Sequence, residues 1–343
     1  MADYLKILDG EELVGISVQF DYMNATSDFV GLKLFPMVKT NNMKIAMYNL
    51  LKGSEIPVIA LVHAFDSEAR IGDRPNYEEF REELFLIKEK INQGEELRKK
   101  IKDMGMDSDE RTILNSIYDD ISALIMKVLT RLEKMACEAL GTAKIIVDEN
   151  GAKREVDYKL SAKNKIDFDA WNDPAHDIIA DLASLKRASK NKIVRQIMSS
   201  KLMGYVMSNT KLNQFATAQL LPMTEDYAKN YIRTALGIEI VVDDRTYKTS
   251  YLNADGTTNT TEYRFFPEDV VISLTTAGTV GQTLMTSTPA EDANVNGSKY
   301  GFVAVTQWKQ VGDPWTSWSE AEGVGLPVFA DINNTLYLSK VTV

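Results

Sequence analysis

The chain has 343 residues, 44% of them hydrophobic and 26% charged, with a net charge of −10 at neutral pH. That is enough apolar material for one large domain or two or three modest ones, and no run of about 18 apolar residues offers a membrane-spanning helix. The acidic balance excludes a DNA-coating protein of the usual basic kind, and a single cysteine, Cys137, excludes an internal disulfide framework.

The charge is uneven. From Leu220 onward 8 Lys and Arg face 15 Asp and Glu, a local balance of −7, which leaves −3 for the first 219 residues. The opening stretch, MADYLKILDGEELVG, carries acidic residues where a secretory signal needs a basic start and an apolar centre, so synthesis and folding in a cytoplasm are expected.

In chain order, residues 1–43 alternate apolar and polar residues at short range and read as an extended arm with one short helix. Residues 43–51 and 56–65 are strand-like runs separated by Lys52-Gly53-Ser54-Glu55, and the polar tract 66–76 follows. Together they predict a long hairpin or loop projecting from the body. Asn76, with Glu79 three residues on, resembles a capping box opening a helix whose face is Tyr77, Phe80, Leu84, Ile87 and Ile91. Glu95–Lys99 and Glu96–Lys100 are i,i+4 pairs that support a further helical piece.

Residues 108–140 form the dominant feature. Ile113, Leu114, Ile117, Ile121, Leu124, Ile125, Val128, Leu129, Leu132, Met135, Ala136 and Ala139 fall at the three-and-four spacing of one helical face. Ser108 suits the N-cap, Asp109 and Glu110 suit the positive end of the dipole, and Gly141 is a natural stop. Such a helix is roughly 50 Å long and reads as the spine of a flat, extended subunit. Cys137 lies within it as a small buried hydrophobe.

A strand at 143–147 and a turn at Glu149-Asn150-Gly151 come next. Asp173-Pro174 looks like a helix cap followed by a first-turn proline, and two or three helices are expected in 174–233. After Gly237 the chain becomes strand-rich, with strands expected at 238–242, 246–252, 263–266, 270–274, 302–305 and one or two in 328–343. The fold class is mixed α+β.

Catalytic chemistry is sparse. There are two histidines: His63 sits in the apolar run PVIALVHAF, and His176 in the expected first turn of a helix beside Asp177. With one cysteine besides, a structural zinc site is not expected. Gly278 and Gly281 lack the spacing of a phosphate-binding loop, and Gly323 and Gly325 lack the third glycine of a dinucleotide fingerprint. The Asp107/Asp109 pair has too few companions for a calcium loop. Asp243-Asp244 offers half of an acid/base pair, with a strand end or turn as the favoured role. Neither an enzyme nor a cofactor is indicated.

Two further groups attract attention. The stretch KRASKNKIVRQIMSSK, 186–201, holds Lys186, Arg187, Lys190, Lys192, Arg195 and Lys201 with no acidic residue. It is either a contact for nucleic acid or a neighbour's carboxylates, or an ordinary solvated helix face. It carries no aromatic residue for base stacking. Trp308, Trp315 and Trp318 form a cluster that suits a sugar or peptide platform, a small core or an interface anchor. In the first case the chain is a monomeric binding module.

The order of pieces resembles the tailed-phage major capsid protein, in particular the lambda-type E family with the Hong Kong 97 capsid fold. The likeness is carried by MKIAMYNLLKGSEIPVIALVHAFDSEARIGDRP, by DSDERTILNSIYDDISALIMKVLTRLEKMACEALGTAKI, by NDPAHDIIADL, by FPEDVVISLTTAGTVGQT and by GVGLPVFADINNTLYLSKVTV. It implies an N-terminal arm at 1–43, an extended loop at 50–82 lying over a neighbouring subunit, a peripheral domain at 83–172 completed by 326–343, and an axial domain at 173–325. It implies self-assembly into pentamers and hexamers of an icosahedral head enclosing double-stranded DNA. Its partners are a scaffolding protein, a portal and a decoration protein, with no membrane, and it is assembled in a bacterial cytoplasm into the virion capsid. A cellular nanocompartment shell of the same fold is the alternative. Opposite charges suited to pairing across subunits are Arg70 and Arg74 at the expected loop tip and Glu78, Glu79, Glu82 and Glu83 beyond it.

Overall fold

The computed structural model describes residues 8, 10–41, 44–51, 76–93, 109–149, 151–252, 258–293, 300–310 and 316–342. In chain order these form helices α1 (Gly10–Gln19) and α2 (Val30–Leu34), strands β1 (Met37–Lys39), β2 (Lys44–Leu51), β3 (Asn76–Glu83) and β4 (Phe85–Gln93), and the long helix α3 (Asp109–Thr142). There follow β5 (Lys144–Glu149), β6 (Ala152–Asp157), β7 (Phe168–Asp169), α4 (Ile178–Ala188), β8 (Arg195–Met198), α5 (Ser200–Ser208), α6 (Thr210–Ala218) and α7 (Glu225–Leu236). The chain finishes with β9 (Glu239–Val242), β10 (Thr246–Leu252), β11 (Thr258–Arg264), β12 (Val270–Leu274), β13 (Gly281–Thr286), β14 (Ala304–Gln310), β15 (Thr316–Phe329) and β16 (Leu336–Thr342). Single helical turns lie at Tyr22–Ala25, Pro289–Asp292 and Ile332–Thr335.

The spine α3 is 34 residues long, about 50 Å at 1.5 Å per residue. From Ile121 to Ala139 the apolar face read from the sequence is fully buried: Ile121, Leu124, Ile125, Val128, Leu129, Leu132, Met135, Ala136 and Ala139. Cys137 is fully buried with them. The helix passes Gly141, and Ala143, at φ 58°, takes the left-handed position that ends it. Gly141 serves a different need, because a Cβ there would stand 2.6 Å from Cδ of Pro267.

β15 organises the sheet on the spine. One edge pairs antiparallel with β14 and then β13, β13 pairs parallel with β1, and the other edge pairs antiparallel with β4. This corrects the helix expected from Asn76. Residues Asn76–Glu83 and Phe85–Gln93 are strands. Ile87 and Ile91 fit a period of two as well as one of 3.6. Their side chains turn towards the spine core while Leu86 is exposed, and pairing with β15 over 85–93 decides the outcome. β3 pairs antiparallel with β2, so the hairpin partner of 44–51 is 76–83, and the expected strand at 56–65 lies outside the described residues.

The described residues of the N-terminal segment form two helices and a single turn, where an extended arm with one short helix was expected. Leu13 and Ser17 of α1 are buried, and the Ser17 hydroxyl donates to the carbonyl of Val303 beside β14. The sequence missed this because α1 and α2 bury their faces against distant chain, not against each other.

A second sheet runs β7-β16-β12-β8-β9. On it lie α4 to α7, and Phe168, Trp171, Ile178, Leu182, Ile193, Leu202, Val206, Ile232 and Ile238 form a core separate from the spine's. Four helices stand where two or three were expected. Asp173 accepts from the amide of Ala175 at 2.9 Å in a turn, and Asp177, which accepts from the amide of Ala180 at 3.1 Å, is the cap of α4. β5–β6 and β10–β11 are hairpins, the first turning at Gly151 (φ 79°) as read from the sequence.

Candidate functional site

Among the described residues, His176 and the pair Asp243-Asp244 are engaged by neighbouring side chains. His176 Nε2 lies 2.7 Å from Asp181 Oδ2, and Trp171 Nε1 donates to the same oxygen at 2.9 Å, so the three lock the turn ahead of α4. His63 lies outside the described residues. Asp243 and Asp244 part company: the first accepts from Arg245 Nε at 3.0 Å, the second from the Ser200 amide at 3.1 Å and from Arg264. Among the described residues no group of three or more His, Cys, Asp or Glu side chains could hold a metal ion. No described helix is long and apolar enough to cross a membrane.

A buried polar junction centred on Glu133 was missed by sequence reasoning. Glu133 is a fully buried carboxylate on the spine. Phe29 gives α2 no side-chain cap, and Glu133 supplies one from 101 residues away, accepting from the amides of Gly31 at 2.9 Å and Leu32 at 2.7 Å. Gly31 permits this approach, because a Cβ there would stand 2.8 Å from both Ala136 Cβ and Glu133 Oε2. Arg245 Nη2 then pairs with Glu133 at 2.9 Å and with Asp243 at 2.8 Å, and Nη1 donates to the carbonyl of Asp28 at 2.5 Å. Burial opposes the charge on Arg245, but the Asp243 and Glu133 carboxylates outweigh it and hold its pKa above the ordinary value. Burial, with Glu133 alongside, pushes the Cys137 thiol well up, which keeps it protonated. The available signal was one acidic residue inside the apolar face, four residues from both Leu129 and Cys137.

The basic run is not one helix face. Lys186 and Arg187 occupy the last turn of α4, Lys190 (φ 56°) lies in the turn after it, and Arg195 opens β8 and pairs with Glu239 at 2.9 Å. Lys192 lies in the same connection, and Lys201 pairs with Glu268 at 3.0 Å. Lys186 Nζ donates to the carbonyl of Leu236 at the end of α7. Lys186 and Arg187, with Ala183, Asn191, Ala235 and Leu236, line a groove of about 400 Å³. Of the loop charges, Arg70 and Arg74 lie outside the described residues. Glu78, Glu79, Glu82 and Glu83 lie on β3, opposite Asn49, Tyr48, Ile45 and Lys44 of β2.

Trp308 and Trp318 are directly opposite on β14 and β15, with rings stacked at 6.3 Å, and Lys90 Nζ lies 4.8 Å over the Trp318 ring. Trp315 lies outside the described residues. The pair is a cross-strand contact on the sheet that covers the spine.

The architecture is shared with solved structures. One is a capsid protein of prophage from E. coli CFT073, 17% identical, with a TM-score of 0.58, covering 97% of this chain and 99% of that one. Another is a phage-related protein from Bordetella bronchiseptica RB50, 12% identical, with a TM-score of 0.52 and 91% of each chain covered. The fold is therefore the Hong Kong 97-type capsid fold, a shell-building α+β architecture. At sequence level a family model described as phage major capsid protein E matches residues 23–338. The chain belongs to that family and is a phage capsid shell protein. No curated protein matches it.

Proposed function

We infer that the chain builds pentamers and hexamers of an icosahedral phage head around double-stranded DNA, without sequence-specific contact to that DNA. The observation that carries this reading is the family match over 23–338, which spans the spine, both sheets and the helical body. Assembly proceeds in the host cytoplasm with a scaffolding protein and a portal vertex, and a decoration protein is an optional outer partner. The chain works by contact alone and performs no catalysis.

The subunit divides into an arm at 1–43, an extended loop at 50–82, a peripheral domain at 83–172 with 326–343 and an axial domain at 173–325. β13, β14 and β15 lie on the spine, so the axial unit centres on α4 to α7. Arg70, Arg74, Glu78, Glu79, Glu82 and Glu83 make contacts between subunits, and Lys186, Arg187, Lys190, Lys192 and Arg195 face an acidic partner. Modest contacts of this kind are multiplied by copy number into a durable container.

The test is electron microscopy of the purified chain, alone and coexpressed with scaffold candidates. Closed shells, rings of five or six, tubes or sheets are expected. A chain that stays monomeric under all these conditions overturns the proposal, and DNA-free shells filled with one cargo enzyme replace it with a cellular compartment.

A further inference from the structure

We propose that copies of this chain meet head to tail along α7: the apolar tip before the N-terminus of α7 enters the groove at the C-terminal end of the same helix in a neighbour. This rests on the shell function above and names one contact that closes its rings.

The tip is built at a conformational cost that the subunit itself does not use. After α6 the amide of Leu220 donates to Thr217 O at 3.0 Å and that of Leu221 to Ala216 O at 3.0 Å. This paired closure suits glycine at its left-handed position. Leucine occupies it instead, at φ 55°, and its side chain is 93% exposed. A side chain with a Cβ is disfavoured there, and Leu220 packs on almost nothing in return. Leu221 and Phe215 are about half exposed beside it, and Phe215 is braced by stacking on Tyr231 at 5.5 Å. Strain maintained at an exposed apolar point marks a surface that acts outside the subunit. The first turn of α7, next along the chain, carries the exposed Glu225 and Asp226, of which Glu225 pairs with Lys229 at 2.6 Å.

The complementary surface lies at the far end of α7, whose 12 residues span about 18 Å. There Ala183, Ala235 and Leu236 give the groove an apolar lining, and Lys186 and Arg187 give it a basic rim. Lys186 caps the end of α7 through the Leu236 carbonyl, and Arg187 is exposed. An apolar point beside the acid Asp226 thus faces an apolar groove flanked by bases, which is charge complementarity within one sequence. Because the two surfaces sit at opposite ends of one helix, each copy offers one to each neighbour. Such heterologous contacts close into rings.

The experiment compares assembly of the full chain with Leu220→Asp, Leu220→Gly, Asp226→Arg, Arg187→Glu and the double charge exchange. Leu220→Asp is expected to lower the yield of shells or rings by at least about tenfold, as removal of an interface anchor does. Leu220→Gly is expected to raise the melting temperature of the unassembled chain while still lowering assembly, a split that a folding defect cannot produce. Asp226→Arg and Arg187→Glu each impair assembly, and the double exchange restores it. Wild-type shells with unaffected Leu220 variants, or a double exchange no better than its singles, overturn this contact and leave the shell function standing. A wild-type chain that never assembles overturns both.

Discussion

Glu133 shows at the residue scale how one buried charge is made tolerable. A carboxylate removed from water is costly unless it is paired and hydrogen-bonded, and Glu133 receives two amides and a guanidinium. Glu133→Ala leaves Arg245 with Asp243 as its carboxylate partner beside the Asp28 carbonyl, and the amides of Gly31 and Leu32 without their acceptor. The expected cost is about 3–5 kcal/mol, read as a lower urea midpoint of the unassembled chain. A change below about 1 kcal/mol would show that the cluster is a passive bystander. The Trp308–Trp318 pair is the opposite case. Its residue types were evident in the sequence, but their meaning depended on register, which places the two rings opposite each other on adjacent strands.

Elements are tied to one another by similar devices. Asp177 caps α4 and also accepts from Lys211 of α6. The Lys211 ammonium, with the Ala180 amide, holds the Asp177 carboxyl below its ordinary 3.8, against a smaller opposing effect of burial. A lowered folded pKa stabilises the fold above the ordinary value, and that contribution disappears as pH falls through the depressed one. Lys211→Met is therefore expected to move the Asp177 titration upward in carboxyl NMR and to shrink the stability difference between neutral pH and the acid range below 3.8. An unchanged titration would remove Lys211 from this role. The spine is legible at this scale because its period repeats over many turns. The 76–91 segment was misread because its few apolar positions satisfy both periods and β15, more than 200 residues later, chooses between them.

On the scale of the whole molecule, two packed bodies share one chain. One is built around the spine and the sheet of β15, the other around α4 to α7 and the second sheet. The apolar face of the middle and C-terminal spine, from Leu124 to Leu140, is fully buried across both spine cores. Its amides are expected to exchange most slowly in native-state hydrogen exchange, ahead of α1, which is anchored mainly through Leu13 and Ser17. Exchange from the spine as fast as from α1 would contradict this. Leu129→Ala removes a side chain from the spine core and is expected to cost about 2–5 kcal/mol, seen as a lower melting temperature and fewer assembled shells. A near-neutral Leu129→Ala would show that the spine core repacks freely.

By itself the sequence determined what depends on local repetition and composition. The spine, the turn at Gly151, the strand-rich C-terminal third, the thin catalytic inventory and the order of pieces that resembles a capsid protein all follow from residues near one another in the chain. Tertiary structure decided whatever needed a distant partner. It made strands of 76–93, folded the N-terminal segment onto β14 and the spine, and brought Glu133 to Gly31 and Arg245. It also set the Leu220 tip and the Lys186 groove at opposite ends of α7. The physical reason is the same in each case: periodicity records which face is apolar, while the surface that covers it is supplied by residues distant in the chain.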